Sequence, residues 1–301
     1  MGKRIIIVGL PLFAKRLSQD LKSFDPSLKV TALDTYYNKK DKIKALFLIP
    51  FCSVVYSING TTSKSRVFDL AFFFKKKVMM TWVGTDVTKA IKNQNRIQKY
   101  IDRAEHYCEV QWIQTELKET LDIDAEILNF FNFNNSKSTD FPALNKGLNV
   151  LSYIAKNREE YYGLPTILEL AKNFPNVKFD VVGTDGKDLE QAPNLTYHGW
   201  VEDMQPLFEK AHVTVRLIEH DGLSGFVLES LFNKKYVLYS NSLEGVLHVE
   251  NKQDAVTALG DLNKQLQEQS LTANEAGAKY IKNHFMHQQI MANLRAKMIS
   301  E

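Results

Sequence analysis

The sequence predicts an α/β protein built from two Rossmann-like domains. Short apolar, β-branched runs alternate with longer helical patterns, the alternation restarts near residue 147, and 301 residues suit two domains of ordinary size. In the first half the runs at 5–8, 29–33, 53–57, 78–82 and 109–113 read as strands. Helical patterns at 11–23, 39–47, 64–75, 95–104 and 115–121 lie between them. In the second half strands are expected at 149–154, 178–182, 195–198, 213–218 and 236–240, with helices at 164–173, 203–210 and 224–233. The polar stretch Asn132–Asp140, with Pro142 beyond it, is the expected linker, which puts the domains at 1–145 and 146–274 and leaves a helical segment at 275–301.

Composition narrows the function classes. The chain is 44% hydrophobic and 24% charged, and a net charge of +3 is too small to make nucleic acid the main partner. Cys52 and Cys108 lie in apolar runs without metal or redox spacing, so buried, reduced thiols are expected. Met1–Gly9 has no signal-peptide pattern, and the longest apolar stretch, 45–58, is interrupted by Pro50 and too short for a membrane span, so a cytoplasmic location is expected. No His/Cys/Asp cluster has ligand spacing, and the one Asp-x-Asp, Asp122-Ile-Asp124, falls in the first domain, so no metal is expected. No P-loop or Gly-x-Ser-x-Gly pattern is present, which argues against a triphosphatase or a serine hydrolase.

The most informative stretch is Val213–Ser240, which reads as strand, glycine-bearing turn, helix and strand. The β-branched run 213–218 suits a buried strand, and Gly222 and Gly225 leave room for backbone to approach a ligand. A helix starting near Ser224 has four amides without intrahelical partners and a partial positive charge, so the turn Gly222-Leu223-Ser224-Gly225 is expected to receive a diphosphate. Asp221 opens that turn. Glu229 lies about five residues into the helix among Phe226, Val227, Leu228, Leu231 and Phe232, where a carboxylate needs a partner such as ribose hydroxyls.

Asp221, seven residues and Glu229, followed by Tyr236-Val-Leu-Tyr-Ser240, resemble the E-x7-E signature of retaining GT-B glycosyltransferases. The likeness is to the large bacterial family that assembles polysaccharides and glycolipids, glycosyltransferase family 4-like. Asn149–Ile154, Val177–Gly183 and Leu195–Val201 follow that domain's first strand, second strand and base-holding loop in order. The resemblance implies a GT-B fold of two Rossmann-like domains facing across a cleft, with the C-terminal domain holding the nucleotide sugar and the C-terminal helix returning to the first domain. It also implies that Glu229 binds ribose, that Asp221 faces the sugar, and that transfer proceeds with retention and without a bound metal or cofactor. Asp221 is one methylene shorter than the usual Glu, and Tyr162 stands where the family has a lysine, so Lys156 or Arg158 is expected to take the leaving charge.

Ligands of open parallel sheets gather at the carboxyl ends of the strands, which nominates Gly183, Gly199 and Trp200 in the following loops for the base or diphosphate. In the first domain Trp82-Val-Gly-Thr-Asp86 resembles a Trp-x-Gly-Thr/Ser-Asp segment of the same group, which makes Asp86 the expected acid on the acceptor side. Lys39–Lys44 and Ser63–Lys77 combine basic and aromatic residues, a pattern that suits contact with an anionic membrane carrying a lipid-linked acceptor. The expected function is transfer of a sugar from a nucleoside diphosphate donor to a hydroxyl of a glycan or lipid-linked glycan. A nucleotide-sugar epimerase of the same fold and a non-catalytic binding subunit stand as alternatives.

Overall fold

The computed structural model describes residues 3–134 and 137–300, so Asn135 and Ser136 of the expected linker lie outside the described residues, as do Met1, Gly2 and Glu301. The chain folds as two compact units, 1–134 with 285–301, and 135–284. The first runs β1 (Arg4–Gly9), α1 (Pro11–Phe24), β2 (Lys29–Ala32), α2 (Lys39–Leu48), β3 (Val54–Ile58), α3 (Arg66–Phe73), β4 (Lys77–Trp82), α4 (Thr85–Lys92), α5 (Gln98–Arg103), β5 (Glu105–Cys108), α6 (Gln111–Leu121) and β6 (Ala125–Ile127). The second runs β7 (Asn149–Tyr153), α7 (Leu164–Asn173), β8 (Lys178–Val182), β9 (Leu195–Tyr197), α8 (Gln205–Phe208), β10 (Val213–Arg216), α9 (Gly225–Phe232), β11 (Tyr236–Tyr239), β12 (Leu247–His248), α10 (Lys252–Gln267) and α11 (Glu275–His284). The last helix, α12 (His287–Ile299), belongs to the first unit.

Each unit is one parallel sheet, ordered β2-β1-β3-β4-β5-β6 in the first and β12-β11-β10-β7-β8-β9 in the second. The chain reverses direction across the sheet between β1 and β3, and again between β7 and β10. These are the two topological switch points. The central strand β1 shows why the sequence chooses this layout. Ile5 and Ile7 enter one core with Leu17 and Leu21 of α1, while Ile6 and Val8 enter the core on the other face with Val67 and Phe68 of α3. An unbroken apolar run is what a strand covered on both faces requires. α1 follows with Pro at its first position, where no amide is lost, and buries Ala14, Leu17, Ser18 and Leu21 along one stripe.

Three expectations change. The strand expected at 109–113 is β5 at Glu105–Cys108, paired in register with Met79–Trp82, because Ile113, Leu117 and Leu121 recur at helical spacing and bury as α6. α4, β6, β12 and α10 were not assigned from sequence. The C-terminal helical segment divides at Phe285 and Met286: α11 stays with the second unit, and α12 returns to the first, where Ile290, Met291, Leu294 and Met298 join Ile5 and Ile7 in the core. The unit limits therefore fall at 134/135 and 284/285 rather than at 145/146 and 274/275.

Candidate functional site

In the second unit, the turn after β10 and the loop after β7 meet at the switch point. Gly163 permits this, since with φ of 78° a Cβ there would stand 2.2 Å from the Leu217 carbonyl oxygen. Tyr161 Oη donates to the His220 carbonyl at 2.8 Å. Arg158 lies over the Tyr161 ring at 4.2 Å and the Tyr162 ring at 5.4 Å, so the loop that carries one expected diphosphate cation is fastened to the expected diphosphate turn.

Asp221 is held by a residue that sequence reading passed over. Arg216, the last residue of β10, donates through Nε to Asp221 Oδ2 at 2.9 Å and through Nη2 to Oδ1 at 3.0 Å. Their side chains are 8% and 13% exposed. The guanidinium also sits 4.8 Å over the Tyr162 ring. Burial alone would weaken its hold on the proton, but the charge and hydrogen bonds of Asp221, with Tyr162 and Tyr239 nearby, together outweigh this and Arg216 is more strongly basic than usual. Tyr162, at the position where a lysine was expected, thus supports a cation that comes from β10. The available signal was an arginine at the carboxyl end of an apolar run with an acid five residues on, because a buried charge requires a partner. Tyr239 Oη completes the cluster, donating to the Gly222 carbonyl at 3.0 Å and lying 3.3 Å from Asp221 Oδ2.

From this turn the chain enters α9 through Ser224, which is extended at φ −78°, ψ 120° and makes no side-chain cap. The amides of the first turn of α9 are therefore left without the usual serine acceptor. Gly222 and Ser224 are buried, while Leu223, Gly225 and Glu229 are partly exposed, with Glu229 five residues into the helix. The adjoining loops complete the carboxyl edge of the sheet. Gly183 has φ of 95°, and a Cβ there would approach the Ile154 carbonyl oxygen to 2.5 Å. Its amide donates to the Gly199 carbonyl at 2.7 Å, and Gly199 donates to Thr184 at 3.0 Å. Lys156 pairs with Asp185 at 2.7 Å in an exposed ion pair, which makes its ammonium more basic. Trp200 is 77% exposed, so its ring is open for stacking. The residues nominated from sequence in this unit thus lie on loops after β7, β8, β9 and β10, apart from Gly225 and Glu229 in α9.

The first unit places Asp86 differently from expectation. Asp86 is 3% exposed. Its carboxylate accepts from the backbone amides of Gly60 at 2.5 Å, Val83 at 3.0 and 3.2 Å, and Val87 at 3.1 Å. The chain from Val83 to Val87 wraps the carboxylate, so the acid expected to face an acceptor is enclosed and fastens Gly60 to the end of β4. Gly60 in turn lies against the Trp82 ring, where a Cβ would come within 2.1 Å. Burial pushes Asp86 up to about 6, even though the backbone amides favour its charged form.

Beside it, sequence reading missed Glu109, just past the end of β5. Glu109 is 6% exposed, and its Oε1 is buried with no hydrogen-bond partner. Burial pushes its carboxyl up to about 8, opposed by the amides of Phe130 and Phe131 and reinforced by the Asp86 charge. Reading 109–113 as strand hid this pair of acids at neighbouring strand ends. Among the described residues no group of three or more His, Cys, Asp or Glu is disposed to hold a metal ion.

No protein-family model matches the chain, and no curated protein matches it in sequence. Solved structures do match along the whole length. Alr3699/HepE from Anabaena, solved with UDP and glucose, is 11% identical with a TM-score of 0.68, covering 99% of each chain. A glycosyltransferase from Rickettsia africae is 11% identical with a TM-score of 0.65, covering 100% of each chain. A UDP-GlcNAc 2-epimerase from Neisseria meningitidis, solved with UDP-GlcNAc, is 13% identical with a TM-score of 0.56, covering 99% of each chain. Identities this low speak to the fold. The fold is the expected one, GT-B with two Rossmann-like α/β units.

Proposed function

We propose that the protein is a glycosyltransferase that moves a sugar from a nucleoside diphosphate to a hydroxyl of a glycan or lipid-linked glycan. The observation that carries this reading is the β10–α9 turn, where the uncapped first turn of α9, Glu229 within that helix and the Arg216–Asp221 pair occupy one switch point. Helix amides and a partial positive charge favour a diphosphate at that end. In this assignment residues 222–225 hold the diphosphate and Glu229 the ribose. Asp221, oriented by Arg216, faces the sugar. Arg158 and Lys156 flank the leaving diphosphate, and Trp200, Gly183 and Gly199 flank the base.

Charge grows on the diphosphate as the glycosidic bond breaks, and fixed donors stabilise it more there than in the ground state. With these groups assigned to that stabilisation we propose transfer without a metal, and the likeness of Asp221 and Glu229 to the E-x7-E signature of retaining enzymes is what supports retention. Asp86 acts as a positioning residue that ties the Gly60 and Val83 loops of the acceptor unit together. We place the protein in the cytoplasm, in peripheral contact with an anionic membrane through α2 and the end of α3. There Ile43, Phe47 and Phe73 are 56%, 72% and 77% exposed beside lysines, while no helix among the described residues is long and apolar enough to cross a membrane.

A thermal-shift panel of UDP, GDP, ADP and their sugars on the wild type and Glu229→Ala tests the reading. At least one nucleotide should raise the melting temperature, and Glu229→Ala should remove most of that rise. No shift with any nucleotide, or a shift indifferent to the substitution, overturns the assignment. Donor turnover with no acceptor and a change of sugar configuration would instead identify an epimerase. Nucleotide binding without any turnover would identify a binding subunit.

A further inference from the structure

We propose that the first unit contains a second anion site, a cavity at the β1/β3 switch point that binds a phosphate ester. The cavity has a volume of about 520 Å³ and is bounded by Val8 and Gly9 at the end of β1, Ser57 in β3 and Thr35 beyond β2. This is the place where an open parallel sheet offers its loops to a ligand.

Its wall is cationic and hydroxylic. Lys42, Lys64 and Arg66 line it, and no acidic residue does so among the described residues. Thr61, Ser63 and Ser65 add hydroxyls. Ser65 is also the N-cap of α3 and makes no side-chain cap there, so the first turn of α3, which forms part of the wall, lacks that acceptor for its amides.

The nearby acids are engaged elsewhere. Asp69, in the first turn of α3, is held by Lys99 at 2.5 Å and by Tyr100 Oη at 2.9 Å. Asp34 accepts from the amides of Tyr36 and Tyr37, and Asp41 accepts from the amide of Asp34. Three exposed cations line a cavity that no acid lines among the described residues, and although the Lys64 charge also acts on Asp69, the wall keeps a positive field that a phosphate group satisfies with charge-assisted bonds. Ile43 and Leu46 also line the cavity and are 56% and 38% exposed, which gives the ligand an apolar margin beside its charged end. The ligand is thus an alcohol carrying a phosphate, either a soluble polyol phosphate or a lipid headgroup. Identifying it as the acceptor rests on the glycosyl-transfer reading; its binding does not.

The test uses the whole chain without nucleotide. Calorimetry with glycerol 3-phosphate, with glycerol as control, is run beside flotation with phosphatidylglycerol and phosphatidylcholine vesicles. Each is repeated on a Lys42→Gln/Lys64→Gln/Arg66→Gln variant, whose exposed substitutions leave the core intact. Glycerol 3-phosphate should bind where glycerol does not, and the variant should bind about tenfold or more weakly. Binding only to phosphatidylglycerol vesicles, lost in the variant, assigns the phosphate to a lipid headgroup and also supports the site. Absence of binding in both arms, or binding undiminished in the variant, overturns it. UDP melting shifts on the same samples separate the two ideas. In the wild type, absence of phosphate binding with a UDP shift present fails only this site, and phosphate binding without any UDP shift fails only the glycosyl-transfer reading.

Discussion

Glu109 is a carboxyl whose chemistry departs far from its type in water. Its proton is held by burial, with its carboxyl raised to about 8 from an ordinary 4.5. A carboxyl raised on folding stabilises the folded state below its unfolded pKa, and that contribution is lost as pH climbs through the folded value. The window here runs from about pH 4.5 to about pH 8, with Asp86, raised to about 6, adding loss in its lower part. Glu109→Gln keeps an oxygen for the amides of Phe130 and Phe131 and removes the charge. The variant should match the wild type near pH 4.5 and become more stable than it by a few kcal/mol, at roughly 1.4 kcal/mol per pKa unit, by pH 9. Chemical denaturation across that range reads it, and parallel pH profiles for the two proteins would show that Glu109 does not titrate as stated. The neighbouring acid Asp86 was visible in the sequence through its motif. Its enclosure was not, because the amide of Gly60 that covers it is 26 residues distant in the chain.

Among the elements, the β10–α9 turn was the most legible and the most incompletely read. The strand, the turn and the start of α9 near Ser224 follow from a β-branched run and two glycines. The Arg216–Asp221 pair follows only when the turn brings an arginine back over its own strand end, with Tyr162 of another loop beneath it. Asp221 is therefore structural as well as a candidate ligand residue. Asp221→Ala should destabilise the protein by about 3 kcal/mol or more, because it leaves Arg216 buried without its partner. Asp221→Ala/Arg216→Met should recover much of that loss. Urea denaturation of the three proteins decides this. An unchanged midpoint in the single variant would mean that the pair contributes nothing to the fold. The misread β5 has a related cause: Glu109–Ile113 is apolar enough for a strand, and only pairing with β4 shows that the strand ends at Cys108.

At the scale of the molecule, the first compact unit is not contiguous in sequence, since α12 crosses back to close its core. Leu294 is fully buried there. Leu294→Ala should cost about 2–5 kcal/mol in a core of this kind. Hydrogen exchange should show faster opening in peptides from β1–β6 and unchanged protection in β7–β12. Equal loss in both units would mean that α12 supports more than the first. The sequence alone places a helical pattern at the C-terminus without saying where it divides, because α11 and α12 both bury a stripe at helical spacing and the stripe does not name its partner.

What the sequence determined by itself was local: the alternation of strands and helices, the parallel class, the glycine-bearing turn and the helix that carries Glu229. Each of these depends on periodicity or on backbone freedom within a few residues. The tertiary structure decided which charges meet. It paired Arg216 with Asp221 over Tyr162, enclosed Asp86 beside Glu109, and gathered Lys42, Lys64 and Arg66 around one cavity. Burial and electrostatic partners are set by residues far apart in the chain, and only packing brings those residues together.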